Sequence, residues 1–128
     1  VTKASKTQEK TIMYGESTRV ERPMTCAPCV IEVFMAGDVE HAKQVVRRFC
    51  KDRPSCVTVT PTSYIYTGGE EAGFVVSFRS YPRFPAGAAE LTLKATELAT
   101  RLVAELAQDS YMIVTPTDSM WVTTREAK

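Results

Sequence analysis

The sequence predicts an α+β fold, a ferredoxin-like β-α-β-β-α-β sandwich in which a four-stranded antiparallel sheet carries two helices on one face. Three observations predict it. Only residues 38–51 and 86–108 show strong helical periodicity, and strand-like runs flank each. Between them, Cys56 to Pro85 reads as two strands joined by Gly68-Gly69, a pair suited to a hairpin turn with positive φ. Finally, Val59-Thr60-Pro61-Thr62-Ser63-Tyr64-Ile65-Tyr66 recurs as Val114-Thr115-Pro116-Thr117-Asp118-Ser119-Met120-Trp121. Each copy follows a helix, so the chain reads as two βαβ halves in tandem. In such a sandwich the second and fourth strands form the sheet edges, where Pro61 and Pro116 are tolerated. Right-handed crossovers put both helices on one side and leave the other side open.

Residues 1–22 are rich in Lys, Thr, Ser and Glu and read as an N-terminal arm, flexible or adding an edge strand through 11–14. Residues 23–128 then form one domain. Its first strand is Val30 to Ala36, β-branched and aromatic, bounded by Pro28 and Gly37. A period of two puts Ile31, Val33 and Met35 on one face and Val30, Glu32 and Phe34 on the other. Asp38 caps a helix to about Lys51, with Val39, Ala42, Val46 and Phe49 on its apolar side. The Lys43, Arg47, Lys51 stripe reads as a solvated face that complements the helix C-terminus. Val57 to Thr67 is the second strand, interrupted at Pro61, and Phe74, Val76 and Phe78 alternate inward in the third. The second helix buries Leu91, Ala95, Leu98, Leu102 and Leu106. Tyr111 to Val114 begins the last strand, which resumes after Pro116 as Met120-Trp121-Val122.

Composition narrows the function. The 128 residues are 44% hydrophobic and 24% charged with a formal net charge of +1, too small for a protein that coats nucleic acid by bulk charge. No apolar run approaches a bilayer span, and Val1–Lys10 has no apolar signal core, so the expected location is the cytoplasm. Val1 in first position fits an alternative bacterial or phage start codon, or trimming.

Four cysteines in a reducing compartment read as thiols or metal ligands. Met24-Thr25-Cys26-Ala27-Pro28-Cys29 resembles the Met-Thr-Cys-x-x-Cys motif of heavy-metal-associated domains, which implies a grip on soft ions such as Cu(I). In that family the motif opens the first helix, whereas here a strand follows it and the helix waits until Asp38. A structural zinc on Cys26, Cys29, Cys50 and Cys56 is the related expectation, since in a βαβ unit these positions fall at one end of the sheet.

Val33-Phe34-Met35-Ala36-Gly37 and Gly73-Phe74-Val75-Val76-Ser77-Phe78 resemble the strand motifs of RNA-recognition domains, which implies base stacking on an open sheet. Phe34 faces the open side. Turning Phe74 outward as well would leave Gly73, Val75, Ser77 and Arg79 to form the core, so nucleic acid is not an expected partner.

Arg79-Ser80-Tyr81-Pro82-Arg83-Phe84-Pro85 sets two arginines and two aromatics in a proline-stiffened loop before the second helix. Such a loop suits an anion held by Arg79, Tyr81, Arg83 and the helix amides, or equally a Phe84 that staples the helix to the core. His41 lies off the apolar stripe, and Glu70-Glu71 at the hairpin tip reads as solvated.

These features together describe a non-enzymatic binding or assembly protein. It would act through the Arg79–Pro85 loop and an open face carrying Val30, Phe34, Thr58, Thr60 and Val75, with Glu32 and Arg79 paired across strands. Its expected partner is a second copy or another protein. The alternatives are a small-ligand or nucleotide binder using Arg79, Tyr81 and Arg83, and a zinc or soft-metal protein.

Overall fold

The strand-like run Val30–Ala36 buries Ile31, Val33 and Met35 completely or nearly so and leaves Val30, Glu32, Phe34 and Ala36 half-buried, the alternation its sequence requires. It is the centre of the sheet in a computed structural model that describes residues 6–7, 10–14 and 17–125. Residues 1–5, 8–9 and 15–16 of the expected arm lie outside the described residues, as do 126–128.

The elements in chain order are β1 (Lys6–Thr7), β2 (Lys10–Tyr14), β3 (Ser17–Glu21), β4 (Met24–Thr25), β5 (Val30–Ala36), α1 (Val39–Asp52), β6 (Val57–Tyr66), β7 (Gly69–Arg79), α2 (Ala88–Glu105), β8 (Ser110–Val114) and β9 (Ser119–Thr123). Within the arm, β2 pairs with β3 as a two-stranded sheet of its own, and β1 pairs with β4. The main sheet is antiparallel with the order β6-β7-β5-β8-β9.

That sheet has five strands, not four. Beyond β8 the chain reverses at Thr115–Asp118 and returns as β9. The turn is closed by Thr115 N donating to the Asp118 carbonyl at 2.8 Å and by Asp118 N donating to Thr115 Oγ1 at 3.0 Å. Pro116 therefore sits in a turn, β8 is paired on both sides, and β9 is the edge. The two copies of the repeat consequently differ. Val59–Tyr66 lies within one continuous edge strand, with Pro61 in register opposite Phe74, so that proline does not interrupt it.

Asp38 caps α1 as its residue type favours, its carboxylate accepting from Glu40 N at 3.1 Å. Ala42, Val45, Val46 and Phe49 of α1 and Leu91, Ala95, Leu98, Ala99 and Leu102 of α2 enter the same core as Phe74, Val76, Phe78 and Ile113. Phe49 meets Phe78 edge to face, with ring centroids 6.4 Å apart. Each side chain buried this fully is worth about 1.5–3 kcal/mol over exposure. Arg48–Glu105 (2.8 Å), Arg53–Glu97 (3.1 Å) and Arg101–Asp52 (3.3 Å) link the helices along their exposed side, each a small contribution. Among the described residues, no helix is long and apolar enough to cross a membrane.

Candidate active site on the open sheet face

With the helices on one side, cross-strand register dictates what the other side presents. Thr60 lies opposite Val75, Val75 opposite Phe34, Phe34 opposite Met112, and Met112 opposite Trp121. One row thus crosses all five strands and ends in an indole that is 59% exposed. The next row toward the hairpin tip holds Thr62, Gly73 and Ala36, and beyond it Tyr64 faces Glu71.

Gly73 shapes this corner. A Cβ there would collide with the Tyr64 ring and the Met35 carbonyl oxygen, so the bare glycine lets Tyr64 lie over the sheet. The Tyr64 hydroxyl donates to the Phe74 carbonyl at 3.0 Å. Burial first, and the nearby Glu71 carboxylate to a lesser degree, push its pKa up against a lowering hydrogen bond from backbone Met35. The phenol is therefore neutral at physiological pH.

Asp109 and Arg125 close the same corner from the other side. Arg125 Nε donates to both Asp109 carboxylate oxygens at 3.0 Å, and Ser110 Oγ donates to Asp109 Oδ1 at 2.9 Å. The Arg125 hydrogen bond, then that of Ser110, holds Asp109 below the usual carboxylate range, and the pair raises Arg125 in return. Phe34, Tyr64, Glu71, Met112, Trp121 and Arg125 share the wall of a cleft of about 270 Å³, together with Asp109, Gln108 and Ser110.

A second cleft, of about 380 Å³, lies beside the Arg79–Pro85 loop. Arg79, Tyr81 and Phe84 line it with Cys56, Glu90 and Lys94, whereas Arg83 does not. Tyr81 and Phe84 form a tight turn, with Phe84 N donating to the Tyr81 carbonyl at 3.0 Å and the rings 5.5 Å apart. Phe84 is 55% exposed and so does not fasten α2 to the core; Ser80 Oγ, accepting from Ala86 N at 2.9 Å, helps set the helix entry instead. The Tyr81 hydroxyl bonds to Cys56, and that contact, ahead of burial, raises its pKa.

The expected site residues are thus divided between two places. Arg79, Tyr81 and Phe84 meet at the loop, while Phe34 stands in the sheet-face row. Glu32 lies opposite Ser77 and Val114, with Arg79 opposite Val30, so the expected Glu32–Arg79 pair is a diagonal neighbour without an ion pair among the described residues. The thiols fall into two pairs, Cys26 with Cys29 and Cys50 with Cys56, each lining a cleft of its own. Cys26 Sγ sits 3.6 Å from Ser80 Oγ, while Cys50 is pushed up by burial and then by Cys56. Among the described residues, no three His, Cys, Asp or Glu side chains group as a metal site.

No family model matches the sequence, and no curated protein does. Two solved structures share its fold. One is a phage SAM lyase in complex with S-methyl-5'-thioadenosine, 13% identical, with a TM-score of 0.58, covering 79% of this chain and 93% of that one. The other is a phage SAM lyase in the apo state, 15% identical, with a TM-score of 0.54, covering 78% and 92%. The expectation of a non-enzymatic binding or assembly protein is corrected here: these two solved chains are an enzyme, and one of them holds a small molecule. The sheet-face cleft draws its walls by register from five separate segments of the chain, with no contiguous signature along the sequence.

Proposed function

We propose that this chain is a lyase for S-adenosylmethionine, binding the adenosyl sulfonium in the sheet-face cleft and releasing methylthioadenosine. The row Phe34–Met112–Trp121, with Tyr64 and Glu71 beside it, is the observation that carries the reading. Exposed aromatic faces stack on adenine, and π faces together with a carboxylate attract a sulfonium cation. The loop cleft, where Glu90 pairs with Lys94 and Arg79 is left as the remaining charge, suits the same cation less well. The fold likeness to SAM lyase supports the choice of substrate class, and the strand order β6-β7-β5-β8 supports a ferredoxin-like core with β9 added at one edge.

The chemistry asks little of the protein beyond binding and orientation. The bond between sulfur and the γ-carbon breaks, its electron pair stays on sulfur, and a neutral thioether leaves. The four-carbon fragment closes through its own carboxylate or gives up a β-proton to the Glu71 carboxylate and becomes an alkene, and no water is consumed. In this reading Tyr64 and Glu71, both in the cleft wall, contact the reacting end of the ligand.

Incubation with S-adenosylmethionine, followed by chromatography and mass spectrometry, tests the reading. Methylthioadenosine should accumulate, and the mass of the accompanying fragment tells ring closure from proton loss. Intact substrate after prolonged incubation would rule the activity out. Self-association belongs to the same proposal: Ile65 and Leu93 are exposed apolar side chains that a second copy would cover, and sedimentation velocity at micromolar concentration reads it.

A further inference from the structure

The charged groups at the hairpin end of the cleft are arranged in a particular way. Arg125 is tied to Asp109 through Nε alone, one N–H shared between two carboxylate oxygens. Its two Nη groups have no hydrogen-bond partner among the described residues. A guanidinium fixed at Nε and open at its Nη end is oriented in advance for a carboxylate. Across the same cleft stands Glu71, which forms no ion pair among the described residues, although its charge is felt at Arg125. The two opposite charges face one space without meeting.

Glu71 disfavours a simple anion there, and a simple cation leaves the Nη donors of Arg125, whose charge Asp109 already offsets, without an acceptor. A group bearing both charges satisfies each. We infer that Glu71 and Arg125 form a receptor for a zwitterionic α-amino acid head, Glu71 holding the ammonium and the Nη groups of Arg125 the carboxylate. The inference rests on the sheet-face cleft being the adenosyl site, and it adds what the ligand must carry. The substrate is the intact amino-acid sulfonium, and the released thioether, which lacks that head, binds more weakly and departs.

Two stable thioethers separate the claims by calorimetry. S-adenosylhomocysteine has the amino acid arm, and methylthioadenosine replaces it with a methyl group; neither carries the reactive sulfonium. The wild-type protein should prefer S-adenosylhomocysteine by about ten-fold or more, the scale of a charge-assisted hydrogen-bond pair. R125Q should abolish that preference by weakening S-adenosylhomocysteine far more than methylthioadenosine, and E71Q should reduce it. Equal affinities in the wild type, or an R125Q change that weakens both ligands alike, overturns the receptor and leaves the adenosyl site standing. Failure of both ligands to bind, with S-adenosylmethionine uncleaved, overturns the site and the receptor together.

Discussion

The ring of Tyr64 occupies the space that a side chain on Gly73 would need, two strands paired side by side with one residue bare so that the other can lie across it. This relationship sets the floor of the cleft. It also keeps the Tyr64 hydroxyl on the Phe74 carbonyl, fixing the phenol beside Glu71.

Gly73→Ala should therefore dislodge Tyr64 and strain the neighbouring Met35 backbone. The expected cost is about 1–3 kcal/mol, the range for overpacking. Denaturant unfolding measures it, and a matching loss of methylthioadenosine affinity would show that the tyrosine had moved. Gly73→Ala of wild-type stability and affinity would refute the role given to this pair.

Much of the core was legible from periodicity alone. The inward set Phe74, Val76 and Phe78 is buried as the alternation requires, and Asp38 caps its helix. The site was less legible because register decides it. A turn placed at Gly68-Gly69 pairs Tyr64 with Gly73, whereas the observed turn pairs Tyr66 with Gly69 and so Tyr64 with Glu71. Of the two glycines Gly68 alone has positive φ, which locates the reversal one residue earlier. Glu71 thereby passes from a solvated tip to the wall of a cleft. Trp121 was hidden for a related reason: the repeat suggested one strand where the Thr115–Asp118 turn makes two.

Phe49→Ala should cost about 3–5 kcal/mol, as expected for a fully buried phenylalanine. Its ring packs edge-on against Phe78 and lies 5.3 Å from the Arg101 guanidinium carbon. Chemical denaturation of the pure protein reads this directly. A loss under about 1 kcal/mol would mean that the two-helix core is not packed as described.

Acid should loosen the Asp109–Arg125 clamp. The Asp109 pKa is lowered in the fold, chiefly by Arg125, so its stabilisation is complete above the ordinary aspartate range. That contribution is lost as pH falls through the lowered folded value. Because both groups are exposed, the effect is small. D109N should melt slightly below wild type at neutral pH and converge with it in acid, as followed by thermal melts between about pH 2 and 6. Parallel melting curves across that range would contradict the assignment.

The account depends on which of the two clefts takes the adenosyl group. Methylthioadenosine affinity, measured by calorimetry on wild type, Trp121→Ala and Phe84→Ala, decides it, since both side chains are more than half exposed and their loss spares the core. Removal of a stacking ring costs about 1–3 kcal/mol, or roughly five- to 150-fold in affinity. The prediction is that Trp121→Ala loses affinity on this scale while Phe84→Ala matches wild type. Loss with Phe84→Ala and none with Trp121→Ala would move the site to the loop and contradict the account.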